Sequence, residues 1–304
     1  MFQRGVALQE HKVTRVQRFG GAHTGKKLDA VESYLEAYAT VMKKQRFTLS
    51  YVDGFAGSGA SQALGGDNGQ SLLGEDLLDA TTIIDGSPAR ALRIDPPFDR
   101  YIFIDANPEN IASLEELKAS HPDREIHLRD GDANERLQAF ADFIRERPRE
   151  RAVVFLDPFG LSVRWETVSK LAATEKVDLW YLVPVHGMSR QIKSDGTFLS
   201  SAARIDDLWG SDEWREKAVR EAEPIEDLFG EIDKRYEKTA RAEQFSDMFR
   251  ERLATVFQGG VSRRYLALGK GRLHEFSLMF ACANPSPPAA GAALRIANHI
   301  LGKA

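Results

Sequence analysis

Apolar side chains at Leu28, Val31, Tyr34, Leu35, Tyr38 and Val41 recur at steps of three and four. That is the period of a helix with one buried face, so the spacing predicts an amphipathic helix over residues 26–44. Beyond it the pattern changes to short apolar runs punctuated by glycine and aspartate. FTLSYVDGFAGSG reads as a strand ending in a glycine-rich turn, and residues 61–85 read as an inserted loop. Gly86, Ser87 and Pro88 open a short helix through Leu92, with Ser87 expected as N-cap and Pro88 at the first helical position. Strands and helices then alternate. RYIFIDAN is a strand, NPENIASLEELKAS a helix, REIHLRDGDAN a strand and ERLQAFADFIRER a helix. RAVVFLDPFG and VDLWYLVPV flank the helix SVRWETVSKLAAT and are almost uniformly apolar, as strands covered on both faces must be.

Such alternation builds a doubly wound, mostly parallel sheet in an α/β fold. Residues 196–258 break the rhythm. They are charged and helix-prone, with aromatics at Phe198, Trp209, Trp214, Phe229, Tyr236, Phe245 and Phe249, and predict a helical insertion. RRYLALGKGRLHEFSLMFACAN then reads as two strands around a Gly-Lys-Gly-Arg turn, followed by the helix AGAALRIANHIL. The expected organisation is an N-terminal arm over 1–25, a Rossmann-like core over 26–195, the helical insertion over 196–258, and a terminal hairpin and helix over 259–304. The hairpin would complete a seven-stranded sheet with one antiparallel closing strand, as in class I methyltransferase domains.

With 304 residues, 42% of them hydrophobic, the chain can bury a large core. A net charge of −4 argues against a chain coated in cations for nonspecific nucleic-acid binding, and leaves room for a local basic groove. The single cysteine, Cys282, excludes internal disulfides and any multi-cysteine zinc site. No apolar run is long enough to span a membrane, and MFQRGVALQEHKVTRVQRFGG has no apolar signal core. A soluble protein of the reducing cytoplasm is expected, with no membrane partner and no metal.

The candidate chemistry sits at the strand ends. Asp53, Phe55, Gly57 and Gly59 directly follow the first strand. Glycines let the backbone turn tightly and approach a ligand, and the acid can accept hydrogen bonds from a cationic amine. A dinucleotide fingerprint needs a third glycine where Gln62 stands, and a P-loop needs a Gly-Lys-Ser/Thr that is missing here. An acid, an aromatic and Gly-x-Gly is what S-adenosyl-L-methionine sites use; an ordinary glycine-rich turn is the plainer alternative. Asp105 ends the second strand, where a carboxylate can hold ribose hydroxyls or brace the turn into Asn107 and Pro108. After the third strand, Asp132 or the amide of Ala133 can meet an adenine amine, or Asp132 or Asn134 can cap the next helix. Asp157, Pro158 and Phe159 follow the apolar fourth strand. Methylating an exocyclic nitrogen requires acceptors for the amine hydrogens, which the Asp157 carboxylate and the Pro158 carbonyl supply. The Phe159 ring can stack on an extruded base. A proline turn with a capping aspartate is the alternative. His23 before the first helix and His186 after the fifth strand are weaker candidates, and Cys282 is expected in the core.

Taken together, YVDGFAGSG, GSPARAL, YIFIDAN, VVFLDPFG and VDLWYLVPV resemble the three-Cys-motif partner protein (TcmP) family, from the first helix to the terminal hairpin. The resemblance implies a class I S-adenosyl-L-methionine-dependent methyltransferase fold. It implies Asp53, Phe55, Gly57 and Gly59 around the methionine moiety, Asp105 on the ribose, and Asp132 with Ala133 on the adenine side. Asp157, Pro158 and Phe159 would lie at the target amine. A radical-S-adenosylmethionine-like protein with a three-cysteine motif is the implied partner. The Asp-Pro-Phe-Gly element is similar to the Asp-Pro-Pro-Tyr type motif of adenine-N6 methyltransferases, with Phe159 in place of the second proline and Gly160 in the aromatic slot. It is also similar to the Asp-Pro-Phe-Gly of tRNA guanine-N2 methyltransferases. The expected function is methylation of an exocyclic amine in RNA or DNA, with Arg190, Lys193, Arg204, Arg263, Arg264, Lys270 and Arg272 as candidate phosphate contacts. The alternative is a non-catalytic scaffold for the three-cysteine partner. A dehydrogenase is disfavoured by the glycine spacing.

Overall fold

The computed structural model describes residues 22–62, 83–226 and 232–303. Residues 1–21 of the expected N-terminal arm and 63–82 of the inserted loop lie outside them; residues 22–25 of that arm instead begin the first helix, and the two ends of the loop form a paired strand each. Helix α1 (Ala22–Met42) leads into β1 (Thr48–Asp53), and β2 (Ala60–Gln62) pairs antiparallel with β3 (Ile83–Asp85) before α2 (Ser87–Leu92). The alternating part follows as β4 (Arg100–Asp105), α3 (Pro108–Ala119), β5 (Ile126–Asp130), α4 (Ala133–Arg145), β6 (Glu150–Leu156), α5 (Trp165–Ala172) and β7 (Val177–Val183). Next come α6 (Val185–Ser189), α7 (Ala203–Trp209), α8 (Trp214–Ala218), β8 (Val219–Glu226), β9 (Ile232–Lys238) and α9 (Ala242–Ala254). The chain closes with β10 (Gly260–Val261), β11 (Leu266–Leu268), β12 (Phe276–Cys282) and α10 (Pro287–Lys303).

The main sheet runs β10-β12-β7-β6-β1-β4-β5, with β11 also beside β12. Strands β5, β4, β1, β6 and β7 are parallel, and β12 is antiparallel to its neighbours on both sides. Because β10 and β11 follow one another along β12, eight strands fill the seven places expected. Alternation along each strand decides which face a side chain enters. Tyr51, Phe103, Phe155, Trp180 and Phe280 join the core shared with α1, α2, α3 and α10. Val52, Ile104, Leu156, Tyr181 and Met279 join the core shared with α4, α5 and α9. On the first face the rings of Tyr34, Trp180 and Phe280 pack with centroids 4.8 to 5.4 Å apart.

Two local expectations are corrected. Ser87 is not the N-cap of α2: Gly86 holds that position, Ser87 lies inside the helix, and its hydroxyl turns to the buried Asp53 instead. The insertion is helical at α7, α8 and α9, but β8 and β9 form an antiparallel hairpin between them. Its charged residues have helix-compatible propensities, and only pairing reveals the strands, with Arg220 opposite and ion-paired to Glu237. Most of the aromatics of this segment are core: Trp209, Trp214, Phe245 and Phe249 are buried, and Phe249 meets the rings of Trp165, Tyr181 and Trp209. Tyr236 is exposed, and Phe229 falls outside the described residues.

Candidate functional site

The carboxyl ends of β6, β1, β4 and β5 lie side by side, and register sets their relative heights. Asp53 is level with Phe103 and Phe155, whereas Asp105 is level with Asp130 and two residues higher. Asp157 likewise lies two residues beyond Phe155. Two residues of strand are about 6.6 Å, so Asp105 and Asp157 flank the glycine turn from above while Asp53 sits beneath it. Asp53 is accordingly fully buried, accepting hydrogen bonds from Tyr51 Oη and the Phe55 amide, both at 3.2 Å, and from Ser87.

The turn is stitched to both neighbours. The amide of Gly54 donates to the Phe155 carbonyl and that of Ala56 to the Ile104 carbonyl, each at 2.9 Å. Gly57 and Gly59 have φ of 61° and 78°, the left-handed region that favours glycine. Among the described residues, a Cβ at Gly57 would meet no atom within 4 Å, so none of them fills the space over this glycine. A Cβ at Gly59 would press on Leu117 at 3.0 Å and Leu114 at 3.2 Å. Phe55 is half-buried against the face shared with α4 and α5.

Asp105 is a brace in this structure. Its Oδ2 accepts from the Gly57 amide at 2.8 Å, and its Oδ1 accepts from the Asn107 amide at 2.8 Å and Asn110 Nδ2 at 3.0 Å. A carboxylate has about four acceptor positions, so among the described residues one is left on Oδ2. Asp132 caps α4, accepting from the Glu135 amide at 3.1 Å, and lies 3.7 Å from Arg164. Ala133 is buried in the first turn of that helix, and Asn134 is held inside by Ser162, Arg164 and Thr167.

Asp157 is half-buried and its carboxylate is ion-paired with Lys27 of α1. Pro158 is buried, and Phe159 is 58% exposed, the highest value among the large hydrophobic side chains described. Lys27 is a functional candidate that sequence reasoning missed. It lies 130 residues from Asp157 in the chain and belongs to no motif; the amphipathic pattern of α1 shows only which face is buried. His186 lies half-buried on α6, and its amide bonds the Glu275 carbonyl at 3.1 Å. His23 has no described side chain. Cys282 is buried in β12 beside Asp178, and burial pushes its thiol well above the usual range. The seven candidate phosphate-binding cations are all exposed. Lys270 and Arg272, in the turn before β12, stand at the same edge of the sheet as the acids. Among the described residues no cluster of His, Cys, Asp or Glu is arranged to hold a metal, and no helix is long and apolar enough to cross a membrane.

Burial pushes the Asp53 carboxyl up from 3.8 to about 6, with the nearby Asp157 charge adding to it and the three hydrogen bonds opposing. Between those values the folded chain holds the proton more tightly than the unfolded chain, so this group's contribution to stability falls as pH rises through the window. Relative to Asp53→Asn, the native protein is expected to lose stability between about pH 4 and pH 7. Urea unfolding of both proteins across that range measures the difference; a constant gap would show that Asp53 does not titrate there.

No protein-family model and no curated protein matches the chain. Among solved structures it is similar to protein LPL1258 of Legionella pneumophila, of family DUF519, at 12% identity over 92% of this chain and 94% of that one, with a TM-score of 0.47. It is also similar to the N-terminal domain of EvdMO1, solved in the presence of SAH and D-fucose (12% identity, 86% and 84% covered, TM-score 0.37). A third is M. jannaschii TYW2 in complex with AdoMet (9% identity, 73% and 80% covered, TM-score 0.28).

Proposed function

We propose that this chain is an S-adenosyl-L-methionine-dependent methyltransferase acting on an exocyclic amine of a nucleobase in RNA or DNA. One observation carries the reading: Asp105 ends β4 and Asp157 directly follows β6, the two strands that flank β1 and its left-handed glycine turn, with no described atom over Gly57 and an exposed Phe159 beyond. The donor set fits the cofactor. The space over Gly57 admits its methionine end, the remaining acceptor position of Asp105 suits a ribose hydroxyl, and the edge near Asp132 and Ala133 suits the adenine. Asp53, sealed beneath the turn, acts on a bound ammonium through its charge.

When bound, the cofactor supplies an electrophilic methyl group on its sulfonium. The chain's own residues orient the nucleophile. The Asp157 carboxylate and the Pro158 carbonyl accept the two amine hydrogens and so turn the nitrogen lone pair toward the methyl. Lys27 holds the Asp157 carboxylate in place from the opposite side. Phe159 stacks on the base, and the proton lost as the nitrogen–carbon bond forms passes to Asp157. Holding the two reactants together in this way supplies most of the rate.

The non-catalytic reading has one observation behind it: Asp105, Asp132 and Asp157 each already make a bond within the chain. Under that reading the protein serves the three-cysteine-motif partner as a scaffold. Calorimetric titration with S-adenosyl-L-methionine and S-adenosylhomocysteine, with NAD as control, separates the two. Binding of the first pair alone is expected, weakening as pH falls through about 6, where Asp53 becomes neutral. Transfer of a labelled methyl group to RNA or DNA then tests the substrate. No binding to the folded protein would leave the scaffold reading.

A further inference from the structure

Strand β5 is an open edge of the sheet, pairing among the described residues with β4 alone. The Tyr101 amide bonds the Glu125 carbonyl and the Gly131 amide bonds the Asp105 carbonyl, so the odd-numbered residues of β5 turn their backbone groups inward. Ile126, Leu128 and Asp130 therefore turn theirs outward. Two of these outward carbonyls are covered by arginine side chains: Arg129 Nη1 donates to Leu128 at 2.9 Å, and Arg136 Nε donates to Asp130 at 2.7 Å. Beside the edge runs a groove of about 350 Å³, with Ile102, Phe140 and Phe143 among its lining and Glu125, His127 and Arg129 along the strand.

The edge sequence is Arg124-Glu125-Ile126-His127-Leu128-Arg129-Asp130. Laid antiparallel on itself about His127, it sets Glu125 against Arg129 and Ile126 against Leu128, each couple occurring twice. Directly opposed residues share a face of the sheet. The Glu125–Arg129 couples thus fall on the groove side, and the Ile126–Leu128 couples extend the core on the α3 side. Backbone geometry selects the same register. Once Arg129 turns from the Leu128 carbonyl toward Glu125 of the second copy, the outward groups of Ile126 and Leu128 come opposite one another for about four hydrogen bonds, and His127 meets its copy in the narrow, non-hydrogen-bonded position. Centring the pair on Leu128 instead would oppose His127 to Arg129 and Ile126 to Asp130.

We propose that β5 is a self-complementary docking edge through which two copies of this chain join, antiparallel about His127, into one continuous sheet. A two-fold contact of this kind closes after two copies, so the edge is covered without open-ended aggregation. The test uses cysteine and charge. Facing Cα atoms in a narrow antiparallel pair are about 4.5 Å apart, within disulfide range, and the native Cys282 is buried. On oxidation His127→Cys is expected to give a covalent dimer on a non-reducing gel, while Arg129→Cys, which faces Glu125 rather than itself, gives none. In sedimentation velocity the native protein is expected to shift toward dimer as concentration rises. Glu125→Arg and Arg129→Glu are each expected to stay monomeric and to dimerise when mixed, since each then meets the opposite sign. Arg129 is exposed, so its substitution leaves the fold intact. A native protein that is monomeric at every concentration overturns the proposal. So does a dimer that Arg129→Glu leaves unchanged, or cross-linking that is equal from both cysteine positions.

Discussion

Asp157→Ala is expected to lower methyl transfer by about a hundredfold or more, the usual cost of removing one group aimed at the reacting centre, while S-adenosyl-L-methionine binds as before. The loss should appear in kcat, because the carboxylate orients the amine only once both reactants are in place. Asp157→Asn keeps the size and one acceptor but gives up the charge that pairs with Lys27, so it should lose nearly as much. Lys27→Ala should lose less, since it frees the carboxylate without removing it. The Lys27–Asp157 pair is partly exposed and so contributes about 1 kcal/mol or less to stability. Melting midpoints close to native would therefore separate a catalytic loss from unfolding. Full activity of Asp157→Ala would remove this residue from the mechanism.

Gly59→Val is expected to cost both stability and cofactor binding. The left-handed backbone at Gly59 costs a side-chain-bearing residue about 1–2 kcal/mol. The new side chain also presses on Leu114 and Leu117, an overpacking worth about 1–3 kcal/mol. Relaxing that pressure moves the turn, which is bonded to Asp105 through Gly57 and to Gly86 through the Gly59 carbonyl at 3.1 Å. Gly57→Ala is the control. Its Cβ meets no neighbour within 4 Å among the described residues, so only the backbone cost of about 1 kcal/mol applies to their packing. The methyl group would nevertheless stand in the space assigned to the ligand. Urea unfolding and calorimetric titration of both variants give the two readouts. If Gly59→Val binds as the native protein does, the turn does not form the cofactor site.

The strand ends were legible because each carries local chemistry: a buried apolar run stops at an acid, and glycine or proline follows. Asp53, Asp105 and Asp157 emerge where that pattern places them, on adjacent parallel strands. Their environments were not legible. Asp53 and Asp105 look alike in sequence, yet a two-residue difference in register buries one beneath the turn and puts the other beside it. Ser87 matches a cap by type, but the nearby carboxylate of Asp53 takes its hydroxyl. The β8–β9 hairpin was hidden because charged residues suit a helix as well as an exposed ribbon, and cross-strand partners decide between them.

The sequence by itself determined the order of the alternating strands and helices of the core, the parallel sheet and the row of acids at its strand ends. Hydrophobic period and turn residues act over a few positions, and strand–helix alternation leaves few ways to wind the chain. Only the tertiary structure decided that Lys27 meets Asp157, that Asp105 holds the glycine turn, and that β5 pairs among the described residues with β4 alone. These are contacts between residues far apart in the chain, and strand order and register, which no local pattern encodes, bring them together.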